Sequence, residues 1–158
     1  LHGGTALGSG RGDRLAPVMA PARLSWVVAV ADGGLSTPAV YAELDRMRAD
    51  ASVDAPAVPD ALLTALRHSD VPAVAEHLDN DLQAAALKLR PQLREVLDEG
   101  RGLGAVGGIV SGSGPTVVFL AADDDAAHTL AADLVAGGTC VDAVATGGAA
   151  AGARVVPG

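Results

Sequence analysis

Residues 109–118, IVSGSGPTVV, set a loop of small residues between two apolar runs. Glycine reaches positive φ without steric cost and lets another backbone come close. Successive N–H groups in such a turn form a concavity that can take an anion. A plain hairpin connection uses the same residue types. Gly112, Ser113 and Gly114 are therefore candidates for a loop lying against a phosphate, or against a second loop that holds one. The loop is not of the Walker kind, because no Lys-Ser/Thr pair follows it and the next run reads as a strand. Tyr41 is a second candidate; it sits one helical turn past Thr37, on the same side of a helix. Tyr41, the chain's single tyrosine, reads either as a packing residue or as a platform on which a base stacks.

Other polar groups read as structure. Asp123, Asp124 and Asp125 fit a helix N-terminus, where the dipole favours carboxylates. His77 with Glu76 and Asp79 reads as a solvated helix end. His2, His68 and His128 have no partner at metal-ligand spacing, so no metal site is expected. GSGRGD at 8–13 and TGGAAAG at 146–152 lack the strand before and the helix after that a dinucleotide-binding turn needs; both read as irregular chain. Cys140, the only cysteine, sits in an apolar run and reads as a core thiol.

A net charge of −8 with scattered Lys and Arg argues against a nucleic-acid surface. No apolar run has membrane-spanning length, and no signal peptide is visible. A reducing, cytoplasmic location is expected, with no membrane partner.

The elements that must position these residues follow from punctuation and period. The 158 residues favour one domain with a small appendage. Residues 1–23, rich in Gly and then carrying Pro17 and Pro21, read as loop and irregular chain. Residues 24–31, LSWVVAVA, read as a buried strand. Thr37 as N-cap and Pro38 at the first helical position open a helix to about Ala49, with Val40, Leu44 and Met47 on one face. A Pro/Asp-rich loop follows over 50–60. Four helices come next: 61–67; one capped by Asp70, to Leu78; one from Asn80 or Asp81 to Lys88; and one from Pro91 to Glu99, closed by Gly100. Their short connections make them antiparallel neighbours. The two apolar runs read as strands, Asp123–Asp125 begin a helix that Gly137 and Gly138 end, and strands are expected at 139–144 and, as an edge, at 153–156. Helices grouped apart from a strand hairpin predict an α+β fold, a small antiparallel sheet with helices packed on one face. With one Trp, one Tyr and one Phe, its core must be built from many small Ala and Val contacts.

Four segments, in order, carry a resemblance: GGTALGSGRGDRL at 3–15, VVAVADGGLSTPAVYAELD at 27–45, NDL at 80–82 and SGSGPTVVFL at 111–120. Over essentially its whole length the chain resembles the C-terminal half of the GHMP kinase superfamily. Within it, the chain looks most like the actinobacterial forms of the branch acting on a cytidine-diphosphate-linked methylerythritol. SGSGP is shared across the superfamily, whereas GGTALGSGRGD with STPAVY marks the branch. The resemblance implies a ferredoxin-like C-terminal domain over 24–158, with 1–23 as the tail end of the N-terminal domain or a linker. It implies phosphoryl transfer from ATP, with Mg2+, to the 2-hydroxyl of the methylerythritol unit in non-mevalonate isoprenoid biosynthesis. By the same matching, Gly112, Ser113 and Gly114 pack beside the ATP-phosphate loop and support the ATP site. Thr37 lies near the transferred phosphate, and Tyr41 stacks on the cytosine.

The ATP loop, catalytic Lys and catalytic Asp of that family belong to its N-terminal half. No catalytic residue is therefore expected in this chain, whose opening at Leu1 reads as mid-loop, and the expected partner is the N-terminal half of the same enzyme. Two other readings stand beside this one. One is another superfamily member, of the homoserine or mevalonate kinase type. The other is a freestanding α+β module whose glycine loop cradles a small metabolite.

Overall fold

The structure is a computed structural model and describes residues 3–21, 23–49 and 57–153. His2, the 50–56 part of the Pro/Asp-rich loop, and the expected edge strand beyond Ala153 lie outside the described residues.

A hairpin opens the described chain: β1 (Ala6–Ser9) pairs antiparallel with β2 (Arg14–Pro17), from Ala6↔Pro17 to Ser9↔Arg14. This corrects the irregular chain expected over 1–23 and at GSGRGD. Gly10 and Gly12 take φ of 66° and 81° in the turn, and Asp13 Oδ1 accepts the Arg11 N–H at 2.9 Å. Strands this short and glycine-containing show no alternation or strand propensity to read.

The remaining elements are β3 (Ser25–Val30), α1 (Thr37–Arg48), α2 (Asp60–His68), α3 (Val71–Glu76), α4 (Gln83–Leu89), α5 (Gln92–Gly102), β4 (Gly107–Val110), β5 (Thr116–Ala121), α6 (Asp124–Gly137) and β6 (Asp142–Gly147). Four strands form one sheet in the order β4-β5-β3-β6, and every neighbouring pair is antiparallel. The predicted α+β architecture is thus present, except that helices cover both faces of the sheet, with α2 and α3 opposite α5 and α6.

The strand alternation decides which face is core. Val27 and Ala29 of β3 and Val117, Phe119 and Ala121 of β5 are buried with Val96 and Leu97 of α5 and Leu130 and Leu134 of α6. A smaller cluster on the other face joins Leu120 and Trp26 to Ala65 of α2 and Val74 of α3. At the edge of the core, Ser25 donates to Asp124 Oδ1 at 2.5 Å and ties the start of β3 to α6.

Caps fall where side chains satisfy the free N–H groups of a first turn. Asp70 accepts from Ala73 N at 3.1 Å, and Asp123 from Ala126 N at 2.8 Å. Asp123 thus acts as a helix cap, as its position predicts. Three expectations shift. Ser36, not Thr37, is the N-cap of α1, which leaves the Thr37 hydroxyl free for another partner. Gly100 does not end α5, which runs on to Gly102. β6 begins at Asp142, because α6 ends on Gly138 in the left-handed region (φ 75°) and residues 139–141 make the return. Of the residues expected on one face of α1, Val40 is buried and Met47 is exposed. Cys140 is buried, and burial pushes its thiol up from its ordinary value, as suits a core thiol. Among the described residues no helix is long and apolar enough to cross a membrane.

Candidate functional site

Three pieces of chain meet at the end of the β4–β5 hairpin: the loop 111–115, the start of α1, and the turn before α4. The loop closes on itself through Ser111 N to Thr116 O, 2.8 Å, and Gly114 N to Ser111 O, 2.9 Å. Gly112 and Gly114 hold φ of 54° and 74°, values that L side chains rarely adopt. At Gly114 space is short as well: a Cβ would lie 3.1 Å from Val110 Cγ1 and 3.5 Å from Leu35 Cδ2. The N–H groups of Gly112 and Ser113 take no part in the loop's own turn bonds.

α1 meets the loop through one contact. The Thr37 and Ser113 hydroxyls are 2.8 Å apart. The turn leading into α1 is held by Arg90, whose Nη1 donates to Gly34 O at 3.0 Å. Gly33, at φ 68°, lies under the guanidinium.

The turn before α4 supplies the third piece. Asn80 Nδ2 donates to Val110 O at 2.7 Å and to Gly112 O at 2.8 Å, while its Oδ1 accepts Leu82 N at 3.1 Å. Gln83 Oε1 accepts Val110 N at 2.8 Å. Asn80 separates two open clefts. One, about 550 Å³, is lined by Tyr41, Leu44 and Arg48 with Asp79 and Leu82. The other, about 410 Å³, is lined by Trp26, Ile109, Ser111 and Gly112. Tyr41 is 53% exposed, so it is not a core packing residue.

The structure therefore brings Thr37, Ser113 and the two loop glycines together directly, and sets Tyr41 in a cleft that Asn80 also lines. The sequence does not mark Asn80 or Gln83 as site residues; Asn80 reads as a helix start and as part of the NDL segment that carries the resemblance. The available signal was an Asn-Asp-Leu run between two helices, since Asn is a residue that bonds nearby backbone when it is not helical.

Surface charges fix α1 against α4. Glu43 accepts from Arg46 Nε at 2.8 Å and pairs with Lys88 of α4 at 3.1 Å, and Arg48 pairs with Asp81 at 3.0 Å. Bonds from Arg46 and then Lys88 lower the Glu43 carboxyl from its ordinary 4.5 to about 2. A carboxylate lowered in the folded state stabilises it above the unfolded value and loses that contribution as pH falls through the folded one. The advantage of the wild type over Glu43→Gln should be full above pH 4.5 and disappear towards pH 2. Carbon-13 NMR titration of Glu43 checks this; a midpoint near 4.5 would remove the clamp.

Among the described residues, no group of three or more His, Cys, Asp or Glu side chains could hold a metal ion. The loop itself carries no cationic side chain, so its means of meeting a phosphate are backbone and hydroxyl groups.

A four-stranded antiparallel sheet, helices on its core face, and a Ser/Gly loop closed onto a helix start define a C-terminal domain of the GHMP kinase type. The family model "GHMP kinases C terminal" matches residues 62–140, and the chain belongs to that family. It is similar to the 4-diphosphocytidyl-2-C-methyl-D-erythritol kinase of Salinispora tropica, 54% identical over 157 residues, covering 98% of this chain and 50% of that protein. The chain spans about half the length of the curated relatives it matches. Among solved structures, a 4-(cytidine 5'-diphospho)-2C-methyl-D-erythritol kinase superposes with TM-score 0.68 at 31% identity, covering 90% of this chain and 48% of that one. The homoserine kinase of Cytophaga hutchinsonii gives TM-score 0.68 at 18% identity, with 92% and 47% covered, which shows the shared fold alone.

Proposed function

We propose that this chain is the C-terminal part of an ATP-dependent kinase that phosphorylates the 2-hydroxyl of 4-diphosphocytidyl-2-C-methyl-D-erythritol. Residues 24–158 are its C-terminal domain, and 1–23 lead from the other half. The observation that carries this reading is the 2.8 Å contact between Thr37 and Ser113. It sets the helix bearing Tyr41 against the loop that would back the ATP phosphates. The identity with the Salinispora kinase, spread over nearly the whole chain, supports this substrate branch.

Phosphoryl transfer to an alcohol moves the γ-phosphoryl group from ATP to the hydroxyl oxygen, releases ADP and gives up the hydroxyl proton. Catalysis is mostly positioning and charge stabilisation. In this division of labour Gly112, Ser113 and Gly114 support the ATP site. Thr37 stands beside the transfer region, and Tyr41 receives the cytosine ring. Mg2+ bound with ATP would neutralise charge on its phosphates; among the described residues no group of three or more His, Cys, Asp or Glu side chains offers it a site.

The test is to join the chain to the N-terminal half of the Salinispora relative and assay the product against the cytidine substrate, homoserine and mevalonate. Phosphorylation of the cytidine substrate alone supports the proposal, and preference for another acceptor overturns it. The chain assayed by itself is expected to transfer no phosphate, because the matching ATP loop, Lys and Asp lie in the half that it does not span. Turnover by the isolated chain at a normal enzymatic rate would contradict this.

A further inference from the structure

We infer that Asn80 is a positioning residue that sets the depth of the 111–114 loop relative to the Tyr41 cleft, an inference that rests on the kinase reading for its catalytic consequence. The geometry is specific to an amide. Two carbonyl oxygens, of Val110 at the end of β4 and of Gly112 inside the loop, converge on Asn80 Nδ2 at 2.7 and 2.8 Å. The other end of the amide accepts from Leu82 N. Donor at one end and acceptor at the other fix the side chain's orientation, because turning it over would set an oxygen against two oxygens. The donor end spans a strand end and a positive-φ glycine, so it determines how far the loop stands off the sheet. The acceptor end belongs to the turn into α4, and the clefts on either side carry Tyr41 and Trp26. One side chain thus joins the proposed substrate side to the proposed phosphate side.

Asn80→Asp separates the two jobs. Aspartate still accepts Leu82 N but cannot donate to Val110 O and Gly112 O. Amide hydrogen exchange in this chain reads the tether directly. The Ser111 and Gly114 amides, bonded within the loop, should exchange roughly tenfold faster in N80D, the change expected from losing hydrogen bonds of ordinary strength. The Leu82 amide should keep its protection. Unchanged exchange at Ser111 and Gly114 would overturn the inference whatever the chain's activity. If N80D fails to fold, Asn80→Ala, which removes the donor, is read in the same way at the Ser111 and Gly114 amides.

In the enzyme rebuilt with the Salinispora N-terminal half, N80D should lower kcat by on the order of 10- to 100-fold, as small misplacements of positioning groups do. KM for the cytidine substrate should stay near wild type. A fall in stability with kcat intact would make Asn80 merely structural. If the rebuilt wild-type enzyme is itself inactive, the kinase reading fails while the exchange measurement still decides the tether.

Discussion

Phe119→Ala should lower the unfolding free energy by about 3–5 kcal/mol, the usual range for deleting a buried aromatic ring. Phe119 is the largest fully buried side chain and the only phenylalanine. Its place is made by two glycines. Gly108 is its direct partner across the β4–β5 ladder, and a Cβ there would lie 2.5 Å from the ring. Gly100 on α5 faces the same ring, and a Cβ there would overlap it. The single ring thus lets β4 and α5 approach one another closely, and β4 is the strand that delivers the Ser/Gly loop. Against a total of about 5–15 kcal/mol for a domain, the loss is a large fraction. Gly108→Ala should cost about 1–3 kcal/mol by overpacking, while Val135→Ala on the exposed side of α6 stays within about 0.5 kcal/mol. Denaturant unfolding measures all three; a cost below 1 kcal/mol for Phe119→Ala would refute the ring's central place.

The same glycines explain what the sequence shows and hides. Gly100 looks like a helix stop because glycine is poor in helix interiors and common just past helix ends. Its true reason is a ring belonging to a strand some twenty residues later, and no local rule can see that. β3, β5 and α6 were legible because their burial is carried by their own pattern: β3 lies in a continuous apolar, Val-rich run, and Asp123 and Gly138 bracket α6. The β1–β2 hairpin was not, since its strands are exposed and carry no apolar alternation. Thr-Pro reads as a helix opening with Thr37 as its cap, yet Ser36 holds that position, and the Thr37 hydroxyl turns to Ser113. The loop glycines stand out by type, whereas the roles expected of Ser113, Thr37 and Tyr41 come from the resemblance. Asn80 does not stand out as a site residue, because the two carbonyls it bonds lie about thirty residues away along the chain.

Tyr41→Ala, in the enzyme rebuilt with the Salinispora N-terminal half, should raise KM for the cytidine substrate by about 5- to 150-fold. Base–aromatic stacking contributes roughly 1–3 kcal/mol per base by alanine substitution. The ring is more than half exposed, so its removal should shift stability by no more than about 0.5 kcal/mol. A platform that holds the base equally in ground and transition states affects KM and leaves kcat nearly unchanged. Tyr41→Phe should restore most of the affinity, because the π-face and not the hydroxyl does the stacking. Steady-state kinetics with the cytidine substrate varied at saturating ATP separates these outcomes. An unchanged KM in Tyr41→Ala would remove Tyr41 from the substrate site and leave the cleft beside it without a ligand. A KM effect here, set against the kcat effect expected at Asn80, would show that the two walls of the cleft act on different steps although one side chain joins them. The cleft would then hold the base at one end through Tyr41 and hold the phosphate side in place at the other through the loop that Asn80 tethers.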